Sequence, residues 1–127
     1  MAEELVRRAI TAFLNQDLEG ILAVADPAIV LRSLLTEPER ALYHGHDGVR
    51  DWFHAVFGVF PDWRPQPRAA SHDQDGTVVI PLDVTATGSE SGVPIDQTYW
   101  LGARVQADKI KFFGFFRTES DALDAVT

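Results

Sequence analysis

Residues 77–117 read TVVIPLDVTATGSESGVPIDQTYWLGARVQADKIKFFGFFR, and this stretch decides the fold. Three runs, Thr77–Thr87, Ile95–Gln106 and Lys109–Arg117, are rich in β-branched and aromatic residues. Clusters of Gly, Ser, Asp and Pro separate them. The pattern predicts two successive hairpins of one antiparallel sheet. Each run exceeds the usual strand length of about 5–6 residues. Long strands twist and curl, and a curled sheet has a concave face that other elements must fill.

Upstream of this stretch lie helices suited to fill it. Leu5, Val6, Ala9, Ile10, Phe13 and Leu14 share one helical face over about residues 3–16. Asp17 can cap a second helix that turns Leu18, Ile21, Leu22 and Ala25 inward, and Asp26-Pro27 ends it. Ala28–Leu35 reads as a strand, and Thr36–Leu42 as a polar loop. A third helix follows Tyr43-His44-Gly45-His46-Asp47-Gly48, with Val49, Trp52, Phe53, Val56, Phe57 and Phe60 as its apolar stripe. Prolines leave only Arg68–His72 as a short strand before the Asp73–Gly76 turn. Glu119–Val126 closes the chain as a short helix able to dock on the domain. Helices followed by a run of strands indicate α+β, in one domain spanning 1–127.

Composition narrows the function. The 127 residues carry a net charge of −8, which argues against nucleic acid or an anionic membrane as partner. There is no cysteine, hence no thiolate nucleophile. No apolar run approaches the roughly 20 residues of a membrane span. The N-terminal segment is charged where a secretory leader is apolar, so a cytoplasmic location is expected. His44 and His46 flank Gly45, but no ligand set at metal spacing completes them, so neither metal nor cofactor is expected.

Three pieces together resemble the SnoaL-like branch of the nuclear transport factor 2-like superfamily. They are the opening helix followed by DLEGI, the segment YHGHDGVRDWF, and the closing run SGVPIDQTYW with ADKIKFFGFFRTESDALDA. The resemblance spans nearly the whole chain. Ala107-Asp108 stands where that branch carries a glycine turn. The likeness implies a cystatin-like cone, a curved mixed or antiparallel sheet wrapped around N-terminal helices, with a pocket at its open end. It also implies a homodimer formed through the sheet, and FFGFF, apolar on both faces, fits a sheet covered on both sides. The superfamily includes isomerases, polyketide cyclases, epoxide hydrolases, dehydratases and proteins that only bind.

The resemblance singles out four polar residues. Asp83 matches the acid that protonates the epoxide in limonene epoxide hydrolases, although Pro81 and Phe115 replace the other catalytic positions. Asp96, in Pro-Ile-Asp, matches the oxyanion-binding acid of ketosteroid isomerases, although Ile10 and Arg32 replace that enzyme's tyrosine and base. An inward Arg32 would need a carboxylate partner, which suggests an Asp83–Arg32–Asp96 cluster able to polarise a carbonyl or epoxide oxygen. His44 is a rim acid–base group. Against these roles stand a surface Asp83, a strand-start Asp96 and an arginine that only ties down its strand. Phe13, Tyr43, Trp52, Trp100 and Phe115 are the expected apolar lining. Two readings follow. One is a cofactor-free isomerase, cyclase or epoxide hydrolase acting on a small hydrophobic oxygenated compound. The other is a non-catalytic ligand-binding or regulatory dimeric module.

Overall fold

A computed structural model of the chain describes residues 2–33, 42–87 and 95–127. Its amphipathic opening forms α1 (Ala2–Leu14), which Gln16, at φ 52°, breaks. Asp17 caps α2 (Leu18–Val24) by accepting from the Gly20 amide at 3.0 Å. The chain passes directly into β1 (Ala25–Arg32), pairs back in β2 (Leu42–His44), and enters α3 (Gly45–Val59). Then come β3 (Arg64–Pro67), β4 (His72–Gln74), β5 (Thr77–Ala86), β6 (Ile95–Gln106), β7 (Lys109–Phe116) and α4 (Glu119–Val126).

The sheet order is β2-β1-β7-β6-β5-β3, with β4 also on β5. The hairpins β5–β6 and β6–β7 are antiparallel, as the patterning predicts. The β1–β7 pair is parallel, so the sheet is mixed. Three short strands differ from expectation. The expected strand Arg68–His72 is not formed; the pairing with β5 falls on either side of it, in β3 and in β4, whose Asp73 and Gln74 read as turn. β3 carries Pro65 and Pro67, yet it pairs with β5, because an edge strand needs only one of its sides bonded. β2 forms from residues read as the end of a loop and the approach to a helix; three residues are too few to show a period. The first strand also starts earlier than expected, at Ala25, and a register shift between Ala25 and Val30 accommodates Pro27. The expected strand residues Leu34 and Leu35 lie outside the described residues.

The helices fill the concave side. Phe13 of α1, Trp52 of α3, Trp63 and Phe115 of β7 are each at most 1% exposed. The Trp52 and Phe115 rings stack with centroids 5.5 Å apart, and Phe13 meets both tryptophans edge-on at 5.2 and 5.8 Å. Such pairs contribute about 0.5–1.5 kcal/mol each beyond area burial. On the convex side α4 lays Ala122 and Val126 on Val79 and Phe116. Gly102 permits that approach: a Cβ there would meet the Ala122 carbonyl oxygen at 3.2 Å. The last strand is therefore apolar on both faces because its own chain covers both. Among the described residues no helix is long and apolar enough to cross a membrane.

Two turns test this account. Gly76 has φ 80°, and a Cβ there would lie 2.6 Å from the Val105 carbonyl oxygen. Gly76→Ala is expected to cost about 1–3 kcal/mol in urea denaturation. Ala107 and Asp108 hold φ 53° and 61° in the β6–β7 turn, where Asn-Gly is the natural pair. Ala107→Asn combined with Asp108→Gly is expected to add about 1 kcal/mol in the same measurement.

Candidate functional site

Strand alternation sorts the candidate residues. Leu82 and Val84 of β5, Tyr99, Leu101 and Ala103 of β6, and Phe113 and Phe115 of β7 join the core beneath the helices. The residues between them therefore face outward. Asp83 is one of these. Arg68 donates to its Oδ2 at 2.7 Å and Thr98 to its Oδ1 at 3.1 Å. Arg32 lies between the buried Leu31 and Ser33 and likewise faces outward, its guanidinium 5.1 Å from the Phe116 ring centroid. Asp96 pairs in register with Thr85 and is also exposed on the outer side. The inward Asp83–Arg32–Asp96 cluster is thus not formed. Arg68 takes the Asp83 carboxylate, while β6 and β7 separate Arg32 from the strand that bears Asp83.

The aromatic expectations divide. Phe13, Trp52 and Phe115 come together inside the cone, and Tyr43 is buried near them in the same core. Trp100 instead belongs to the outer cluster beneath α4, because Tyr99 and Leu101 take the inward positions on either side of it. His44 is exposed immediately before α3 and makes no capping bond with its side chain. His46 donates to the Ala25 carbonyl at 2.9 Å, tying α3 to the start of β1. Among the described residues no group of three or more His, Asp or Glu is placed to hold a metal ion.

Inside the cone the fully buried polar residue among those described is Ser33, which accepts from Trp52 Nε1 at 2.9 Å. Further along the inner face of β6, Gln97 donates to the Tyr99 hydroxyl. The space left between α1, α2 and β1 is a cavity of about 10 Å³ lined by Phe13, Ile29, Leu31, Phe113 and other apolar groups. The aromatic rings, rather than a hollow, occupy the described interior. One donor there is unsatisfied: Trp63 Nε1 is buried with no hydrogen-bond partner among the described residues. An unmet buried N–H costs about 1–3 kcal/mol.

Trp63 sits between two residues of a surface groove. The ends of β5 and β7 and the starts of β3 and β6 lie at one end of the sheet. There a groove of about 310 Å³ is lined by Asp62, Arg64, Thr85, Ala86, Thr87, Ile95 and Asp96. Arg64, Thr85 and Asp96 are register neighbours across β3, β5 and β6. Arg64 and Asp96 are thus two strand spacings apart, about 10 Å, with no ion pair between them. Asp62 closes one side: its carboxylate accepts from the Thr87 hydroxyl at 2.7 Å and from the Thr87 amide at 3.0 and 3.1 Å. Asp62, Trp63 and Arg64 were not singled out as polar candidates in the sequence. The polar–aromatic–polar alternation Asp62-Trp63-Arg64 after Pro61 was the available signal.

The family model for the SnoaL-like domain matches residues 6–117. No curated protein matches the sequence. Among solved structures, a nuclear transport factor 2-like protein from Burkholderia thailandensis is 22% identical, with TM-score 0.80, covering 98% of this chain and 95% of that one. TerC, co-crystallised with polyporic acid, is 19% identical with TM-score 0.78, covering 98% and 96%. A putative polyketide cyclase from Sinorhizobium meliloti is 16% identical with TM-score 0.71, covering 88% and 93%. These likenesses carry the fold.

Three carboxylates are held below the ordinary Asp value of 3.8: Asp26 by Lys111 and the Ala28 amide, Asp62 by the Thr87 hydroxyl and amide, and Asp83 by Arg68 and Thr98. Each binds its proton less readily folded than unfolded, so its stabilisation is present above pH 3.8 and is lost as pH falls through the lowered values. The melting temperature is expected to be level from neutral pH down to about 5 and to fall below about 4. Asp62→Asn should lower the neutral plateau and flatten that fall. An unchanged acid limb in the variant would mean that the Thr87 contact contributes nothing.

Proposed function

The chain belongs to the SnoaL-like domain family, and we propose that it holds a small, largely apolar, oxygen-bearing molecule at the end of the cone where the groove opens. The observation that carries this reading is the groove itself. Its volume falls within the roughly 300–1,000 Å³ of ligand sites. It sets apolar Ala86 and Ile95 beside Arg64 and Asp96, two opposite charges that have no partner among the described residues. A ligand with one polar edge can bridge them while its apolar body lies on Ile95. TerC's co-crystallisation with polyporic acid supports an oxygenated aromatic as the first compound to try.

The same geometry favours binding over acid–base turnover. Asp83 is committed to Arg68 and Thr98, and Arg32 to the Phe116 face. A carboxylate held by an arginine is a poor proton donor near neutral pH, because the pair favours the charged form. Asp96, the expected hydrogen-bond donor, stands in the groove as an exposed group with no apolar enclosure around it. In this reading Asp96 and Arg64 orient the ligand, and Asp83 holds β3 and β6 to β5.

Thermal denaturation with polyporic acid, 1,4-naphthoquinone and a steroid ketone tests the reading. A binder at a hundredfold excess over its Kd contributes about 2.7 kcal/mol, a rise on the order of 5–10 °C. Asp96→Asn and Arg64→Gln should each weaken binding about three- to tenfold, and Asp83→Asn should leave it unchanged. The compound recovered from the protein should be chemically intact. Conversion of the compound that Asp96→Asn abolishes would replace binding with catalysis. Indifference of every probe would end the reading.

A further inference from the structure

We infer that the groove takes a flat apolar acid with a hydroxyl at its far end: the carboxylate meets Arg64 and the hydroxyl donates to Asp96. The inference rests on the ligand-binding reading above and deepens it, giving the ligand a charge, a second polar group and a direction. Arg64, Thr85 and Asp96 stand in one row across β3, β5 and β6. Residues directly opposite in register point to the same face, so all three exposed side chains leave the sheet on its outer side. None of them has a hydrogen bond or ion pair to a described residue. The next row on the same strands is Gln66, Asp83 and Thr98, and there Arg68 and Thr98 already hold the carboxylate. One row is closed on itself, and the row at the rim is open. Arg64 does not lack an acid nearby. Asp62, two residues away, also lines the groove, but the hydroxyl and amide of Thr87 take its carboxylate.

The row sets the ligand's shape. Strand spacing puts the Arg64 and Asp96 backbones about 10 Å apart, with the short Thr85 between them. A guanidinium presents a planar fork of donors and no acceptor, which matches a carboxylate. A carboxylate only accepts, so the end of the ligand that meets Asp96 must donate. Ala86 and Ile95 line the groove beside it, and an ammonium set against them gives up more hydration than a hydroxyl does. A carboxylate and a hydroxyl on neighbouring ring carbons lie within one hydrogen bond of each other and cannot reach both ends of the row. The same groups at opposite ends of a two-ring body can, with the rings over Thr85 and against Ala86 and Ile95. Charge sets a further limit. Arg64 is the single cation among the lining residues, against Asp62 and Asp96, and the whole chain carries −8. One anionic group on the ligand finds a partner, and a second is repelled.

Four naphthalene compounds separate the two contacts. 6-Hydroxy-2-naphthoate carries both groups at opposite ends, 2-naphthoate lacks the hydroxyl, 2-naphthol lacks the carboxylate, and 3-hydroxy-2-naphthoate carries both on neighbouring carbons. Affinities are read by isothermal titration calorimetry at neutral pH, where the acids are ionised and the phenolic hydroxyl is not. 6-Hydroxy-2-naphthoate is expected to bind tightest, and each of the other three about three- to tenfold more weakly. Arg64→Gln should weaken 6-hydroxy-2-naphthoate and 2-naphthoate by about that factor and leave 2-naphthol unchanged. Asp96→Asn should weaken 6-hydroxy-2-naphthoate and 2-naphthol and leave 2-naphthoate bound at least as well. The ranking of the four compounds on the unaltered chain decides the matter even where a variant fails to fold. Equal affinity for all four, or a variant whose effect is nil or the same on every compound, overturns this inference and leaves the binding reading standing. Binding of a quinone or steroid probe with no binding of 6-hydroxy-2-naphthoate does the same. Indifference of every compound, those earlier probes included, ends both.

Discussion

The structure depends on one contact, the stack of Trp52 on Phe115. It joins the third helix to the last strand, and Phe13 and Trp63 close on it from the first helix and from the turn before β3. Four elements from separate parts of the chain are thus fixed by four rings that meet edge-to-face or stacked. Rings of this size leave no freedom to shift one element without the others, because interiors are packed as tightly as organic crystals. The sheet's curl, the angle of α3 and the depth of Trp63 are consequences of that packing.

Much of the architecture was legible in the sequence. The two hairpins followed from three long β-rich runs, and the helices from periods that Val6, Ile10 and Phe13, or Val49, Trp52 and Val56, carry on one face. The parallel β1–β7 pair was not legible, because nothing local in either strand names a partner so far along the chain. β2 and β3 were missed for opposite reasons: one is too short to have a period, and the other carries prolines that only an edge tolerates.

The candidate site was read less well, and Asp96 shows why. Its likeness to an isomerase acid rested on Pro-Ile-Asp, a match of residue types. Parity along the strand says otherwise: Tyr99 and Leu101 are inward, so Asp96 cannot be unless the strand is irregular between them. Asp83 follows the same rule between Leu82 and Val84. Phe13, Trp52 and Phe115 are buried, as their size requires, but they pack on one another rather than line a hollow. The orphan indole could not be foreseen, since whether a donor finds an acceptor depends on atoms brought from distant segments.

The parallel pairing of the first and last strands has a consequence for synthesis. Leu31 waits for Phe113, which leaves the ribosome only after most of the chain has been made. Until then the rings of Phe13 and Trp52 lack the Phe113 and Phe115 rings that close over them. The nascent domain therefore passes through an interval in which this part of its core is open, the stage at which a chain with non-local strand pairing is most prone to associate.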